Sequence, residues 1–431
     1  MKTLFSILTA SAAGFMAIGA ASAADLPSKK AAPAQYVKIC DAFGAGFFYI
    51  PGTDTCLKVG GKVRAEYRLR THPLIVDTET TFRIRGYINL DARTKTSYGD
   101  LRTFIELRAT EDTPPNTGAV NSGVTLTNAY IQWAGITAGR RQNSFFDFYT
   151  QEYEFLAASA VSSQFADVLA YTATFGGGFS ATLSLENPTF REQGNNGTAT
   201  LGTIATGAAV GKIGYNANGE RAPDVIAALR AEGTWGSAQL SAAYHQVNAL
   251  VGTTNITKAG YGVQAGVKIN LPMLAAGDSF VLQGAYGRGA TEYVNSDNFV
   301  SVWGKAGHVT VGDQTAIATS GSTLGLVSSY VVFAGLQHYW TSTVYQSVYA
   351  DYYSVKNPSR LALGASPFLD QKAFQVGTRL AWTPVKGLTI GPEVLYENVK
   401  SKTAGNSTTA PAAGRASAND LRFNLRLERS F

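Results

Sequence analysis

Three carboxylates, Asp147, Glu152 and Glu154, fall close together in the stretch from Arg140 to Gln164, R-R-Q-N-S-F-F-D-F-Y-T-Q-E-Y-E-F-L-A-A-S-A-V-S-S-Q. They are interleaved with Phe145, Phe146, Phe148, Tyr149, Tyr153 and Phe155. A contiguous cluster of rings is costly in water, so the segment is expected to fold inward, press its rings onto a wall and leave the carboxylates facing an opening. The counterpart charges lie upstream. Arg64, Arg68, Arg83, Arg85 and Arg102, joined by Lys62, Arg93 and Arg108, all alternate with apolar residues. Side chains in a strand change face with period two, so these cations share one wall. Acidic and basic rims facing each other across water set up a transverse field that sorts ions and slows apolar solutes.

The elements that position these charges are strands. From Leu57 to Arg70 the chain reads L-K-V-G-G-K-V-R-A-E-Y-R-L-R, apolar on one parity and charged on the other. The pattern recurs near 57–70, 80–94, 100–110, 125–133, 135–140, 165–175, 179–186, 223–235, 238–247, 260–270, 279–287, 328–340, 343–353, 373–383, 388–399 and 419–431, sixteen segments in all. Many approach the length a tilted strand needs to cross a bilayer. Short turns, such as Ala134-Gly135 and Gly176 to Gly178, alternate with long polar connections such as 187–222, 288–327 and 400–418. The expectation is an all-β fold, a 16-stranded antiparallel transmembrane β-barrel with an inward-folded third loop. An even count puts both chain ends on the short-turn, periplasmic side.

Composition narrows the choice further. The 431 residues carry 36 Lys and Arg against 30 Asp and Glu, and the basic residues are spread along strands rather than gathered in a patch, so no nucleic-acid partner is expected. No segment after the N-terminus offers about 18 consecutive apolar residues, as a membrane-spanning helix requires. Lys2, the apolar run Leu4 to Ala20 and the small-residue site Ala21-Ser22-Ala23 read as a secretory signal peptide. The expected division is 1–23 signal peptide, 24–56 periplasmic lead-in and 57–431 barrel. Cys40 and Cys56 are the only cysteines, and in an exported protein they are expected to form a disulfide.

His72, His245, His308 and His338 are scattered and match no metal-spaced or hydrolase motif, so neither an enzyme, a metal nor a cofactor is expected. The stretch Y-V-K-I-C-D-A-F-G-A-G-F-F-Y-I-P-G-T-D-T-C-L-K-V-G-G from Tyr36 to Gly61, the later G-R-R-Q-N-S-F-F-D-F and the terminal Phe431 resemble the general porins of alphaproteobacteria, of the Brucella and Rhizobium type. The resemblance spans the mature chain. It implies a homotrimer in the outer membrane of a Gram-negative bacterium, each barrel passing small hydrophilic solutes and ions by passive diffusion through a pore narrowed by the third outer loop. The constriction it implies comprises Asp147, Glu152 and Glu154 on the loop and Arg64, Arg68, Arg83, Arg85 and Arg102 on the wall. It also implies that Phe431 is read by the barrel-assembly machinery; outer-membrane lipid and lipopolysaccharide are the expected surroundings. Two other functions fit the same barrel: a substrate-specific channel, and a structural or adhesive outer-membrane protein.

Overall fold

The computed structural model describes residues 38–70, 80–113, 121–191, 199–200, 212–215, 221–251, 254–295, 299–304, 307–312, 316–320, 323–356, 370–403 and 414–431. The expected signal peptide and His72 lie outside them. Residues Ile39–Phe431 form one compact unit.

Sixteen strands form the wall: β1 (Cys56–Arg70), β2 (Thr80–Thr96), β3 (Gly99–Asp112), β4 (Asn121–Trp133), β5 (Ile136–Arg141), β6 (Ala166–Gly176), β7 (Phe179–Glu186) and β8 (Asp224–Gly233) are the first eight. They are followed by β9 (Gly236–Val251), β10 (Thr254–Asn270), β11 (Ser279–Arg288), β12 (Ser328–Tyr339), β13 (Val344–Lys356), β14 (Gln371–Val385), β15 (Leu388–Thr403) and β16 (Gly414–Ser430). Each pairs antiparallel with the next, and β16 returns to β1 in a register running from Lys62 opposite Ser430 to Arg70 opposite Arg422. Closure leaves no unpaired edge, which is the condition for a sheet to sit in hydrocarbon.

The pattern of burial is inverted relative to a protein dissolved in water. Leu229, Leu240, Val332 and Leu427 on one parity are each more than two-fifths exposed, while Gln264, Gln283, Gln375 and Glu393 on the other are almost wholly covered. Exposed apolar area costs about 25 cal/mol per Å² in water, and a bilayer removes that cost. Among the described residues no helix is long and apolar enough to cross a membrane; the crossing elements are strands.

The sixteen segments expected from alternation are the sixteen observed; what joins them differs, and the connection after β7 holds Ala199–Thr200 paired with Lys212–Tyr215. β9 and β10 extend toward each other until Val251 pairs with Thr254, so the connection expected to be long spans only residues 252–253. The connection 289–327 holds two further hairpins, Phe299–Gly304 with Gly307–Gly312 and Ala316–Ser320 with Thr323–Leu326. Ahead of the barrel, Phe48–Tyr49 pairs with the start of β1, and Cys40 and Cys56 are joined as a disulfide with their Cα atoms 6.0 Å apart.

Candidate pore constriction

The segment 142–165 leaves β5 and returns into β6, yet its hydrogen bonds reach strands far around the sheet. Phe146 O accepts from Ser241 Oγ on β9 at 2.7 Å and from Gln264 Nε2 on β10 at 2.7 Å. Tyr149 N donates to Gln283 Oε1 on β11 at 2.8 Å, and Phe155 N donates to the Glu393 carboxylate on β15 at 2.9 Å. Arg379 on β14 donates to Glu152 O at 3.0 Å, and Arg426 on β16 donates to Phe155 O. Every one of these wall residues lies on the polar parity, opposite the exposed apolar face. A segment that touches β9 through β16 on that face runs along the inside of the closed sheet. The wall left facing it is β1 to β4.

The rings are what fix the segment there. Phe146, Tyr149, Tyr153 and Phe155 are buried, Tyr149 stacking on Phe333 at 4.2 Å and Phe146 meeting Tyr293 edge-on at 4.8 Å. The wall makes room with glycine: a Cβ at Gly266 would collide with the Phe148 ring, and one at Gly335 with Tyr153. Alternation placed these glycines on the inner face, but only the loop's position explains why nothing larger stands there.

The carboxylates divide by environment. Asp147 is buried: it accepts from Arg191 Nη2 at 3.0 Å, from Ser162 Oγ, from Ser144 N at 3.1 Å and from Gln164 N at 3.2 Å. Glu154 is buried too, accepting from Ala158 N at 2.8 Å, Ser159 N at 2.9 Å and Tyr149 Oη at 3.2 Å. Burial pushes the Glu154 carboxyl up to about 7 and the charge of Glu393 adds to the rise, against the hydrogen bonds from Ser159 and Ala158 that lower it. Glu152 is exposed, its carboxylate receiving, among the described residues, only Thr150 N and Oγ1 while Arg379 holds its carbonyl. The expectation that all three face the opening is therefore corrected for Asp147 and Glu154. A loop with irregular backbone inside a barrel has N–H groups to satisfy, and these two carboxylates satisfy them from within.

The wall is corrected in a parallel way. Arg64, Arg68, Arg83, Arg85 and Arg102 do share the polar face, but most are paired with carboxylates. Arg64 meets Glu428 at 2.6 Å and Arg68 meets Glu66 at 2.9 Å; Arg83 is bound to Asp112, and Arg102 and Arg93 share Asp91 at 3.0 and 2.7 Å. Arg85 has no ion pair among the described residues, and neither does Arg108, which sits diagonally across from it on β3. The Nε atoms of both are buried without a hydrogen-bond partner. Sequence reasoning missed Arg191, Arg379 and Arg426 as the clamps on the loop. Parity was enough to place Arg379 and Arg426 inside, whereas Arg191 lies in the short turn Pro188–Arg191, where no periodicity marks a residue.

Among the described residues no group of His, Cys, Asp or Glu side chains is arranged to hold a metal ion.

Comparison with known proteins gives a consistent result. The profile described as porin subfamily matches residues 25–423. The chain is 31% identical to porin Omp2b of Brucella neotomae over 343 residues, covering 75% of this chain and 84% of that protein. It is 31% identical to porin Omp2b of Brucella abortus strain 2308 over 316 residues, covering 69% and 78%. Among solved structures, the outer membrane channel DcaP of Acinetobacter baumannii superposes with a TM-score of 0.62 at 16% identity, over 89% of this chain and 99% of the other.

Proposed function

Because this chain belongs to the porin subfamily, we propose that its selectivity is set between the inner loop and the wall of β1 to β4, with Glu152 on one side and Arg85 and Arg108 on the other. The protein is an outer-membrane diffusion channel for small hydrophilic solutes and ions. The observation that supports the proposed constriction is the run of hydrogen bonds fixing 142–165 to β9, β10, β11, β14, β15 and β16, opposite the wall of β1 to β4.

Paired arginines contribute little net field, since each lies against a carboxylate of opposite sign. Among the described residues Arg85, Arg108 and Glu152 form no ion pair, and permeant ions respond to those. The lumen is the working part; no catalytic role is assigned to any side chain. The family further supports a homotrimer, Phe431 as an assembly signal, and export of the chain from residue 24 onward with a lead-in 24–56 before the barrel. Solute flux decides between general and substrate-specific passage. In reconstituted vesicles the uptake rate of small neutral sugars should rise linearly with concentration; saturation would favour a substrate-specific channel, and absence of uptake a sealed barrel.

A further inference from the structure

At the short-turn end of the lumen, which is the periplasmic end, three cations stand around a single carboxylate. Arg93 on β2 and Arg102 on β3 face each other in register near the turn between Thr96 and Gly99, and both grip Asp91. Arg93 donates to it through Nε at 2.9 Å and Nη2 at 2.7 Å; Arg102 donates through the same two nitrogens at 3.0 Å each. Lys58 on β1 is opposite Asp91 in register, yet its ammonium forms no ion pair among the described residues. It is exposed, and it shares the inward parity of Lys62 and Arg64. The next cation toward the mouth, Lys95, is already neutralised by Asp100 at 2.7 Å. Among the described residues, three cations against one carboxylate leave an excess of two positive charges.

Aromatic faces position these cations without using up their donors. The centre of the Phe47 ring, in the disulfide-closed segment, lies 5.2 Å from the Arg93 guanidinium and 5.9 Å from Lys58 Nζ, so one ring serves both. Phe47 is itself buried against the Cys40–Cys56 bridge, which fixes where the two cations stand. Arg102 rests on the Phe104 ring at 5.0 Å and sends Nη1 to Gln132 at 3.1 Å. The Lys58 ammonium and the edge of Arg93 turned away from Asp91 are thus presented to the water of the mouth. Arg85 stands eight residues from Arg93 along β2, about 27 Å at the rise of a strand. The cluster is therefore separate from the charges at the constriction.

We propose that Lys58, Arg93 and Arg102 form a binding site for a phosphate dianion at the periplasmic mouth of the lumen. A dianion balances the excess of two charges, with Lys58 acting as a point charge and Arg93 offering N–H groups in charge-assisted hydrogen bonds. Asp91 keeps the opposed guanidinium groups together, since like charges directly across paired strands are otherwise destabilising.

The test uses the full folded channel inserted in one orientation in a planar bilayer, with glucose 6-phosphate, inorganic phosphate or glucose added to each side in turn. From the short-turn side the sugar phosphate should reduce the chloride current along a saturating curve, and glucose should not. K58Q should raise the half-blocking concentration about tenfold, the effect of losing one charge-assisted hydrogen bond. D91N should lower it, because the excess rises to three charges. Opposite signs from two substitutions in one cluster separate a change in binding from a loss of folding. Either phosphate source supports the site: stronger block by the sugar phosphate assigns it to phosphorylated solutes, and equal block assigns it to the free ion. Equal half-blocking concentrations in wild type and K58Q would overturn the proposal. So would a block that is lost in R85Q/R108Q but kept in K58Q, which would place the anion at the constriction.

Discussion

Arg191 donates to the carboxylate of Asp147 at 3.0 Å in a place where both side chains are sealed from solvent, and the same guanidinium donates to Ser162 Oγ at 2.6 Å and Glu292 O at 2.8 Å. One cation thereby ties the two ends of the inner loop to the turn after β7 and to the turn Thr291–Tyr293 that follows β11. Removing one partner of a buried ion pair costs about 3–5 kcal/mol because the other charge is left uncompensated. R191Q should therefore loosen the inner loop while the strand registers, which do not pass through Arg191, keep the barrel closed. Single-channel recordings should show greater open-channel current noise, and D147N/R191Q should recover part of the quiet baseline. Wild-type noise in R191Q would mean that the pair does not hold the loop.

Glu154 makes the docking of the same loop depend on pH. Its carboxyl is raised to about 7 from an ordinary value of 4.5, so the docked loop binds more protons than a released one. Docking is strongest below about pH 4.5, weakens as pH rises toward 7 and levels off above, a change on the order of 3 kcal/mol. Amide exchange of residues 155–160 should quicken from pH 5 to pH 8 beyond the intrinsic base-catalysed increase, and E154Q should flatten that excess. An E154Q profile that still follows wild type would assign the dependence to another group.

Phe431 is placed by Gly61. Gly61 N donates to Phe431 O at 3.3 Å and Phe431 N donates to Gly61 O at 3.0 Å, extending the seam between the first and last strands by one residue. A Cβ on Gly61 would lie 2.8 Å from the Phe431 ring. Deleting Phe431, or making G61V, should lower the yield of folded oligomer in the membrane while the conductance of the channels that do assemble stays at the wild-type value. Normal yield from both variants would remove the seam from the account of assembly.

The disulfide ties the segment ahead of the barrel to the first residue of β1. Cys40 and Cys56 are buried against Phe47, with Phe43 and Tyr49 packed beside them. Closing a loop of this length stabilises by about 3 kcal/mol in the chain-entropy model. C40S/C56S should expose the segment before β1 to protease and leave conductance unchanged; loss of conductance would show that the lead-in supports the pore.

Alternation revealed the wall almost completely, because inside and outside of a barrel differ so sharply that every residue from Leu57 to Arg70 declares its face. It also showed that Arg64, Arg68 and Arg83 point inward. It did not show that Glu428, Glu66 and Asp112 stand beside them, since ion pairing between strands depends on register, and a parity pattern is blind to register. The inner loop was legible from its six rings, but the roles of its carboxylates were not. Nothing in the spacing of Asp147, Glu152 and Glu154 says that the first and last turn back to cap the loop's own backbone.

The central claim is that permeant ions pass between Glu152 and the uncompensated Arg85 and Arg108, and reversal potentials across a planar bilayer in a salt gradient test it most directly. E152Q should shift the permeability ratio toward anions, and R85Q/R108Q should shift it toward cations. Both shifts should fade near 1 M salt, where the Debye length falls to about 3 Å. An unchanged permeability ratio at low salt in both E152Q and R85Q/R108Q would contradict the account.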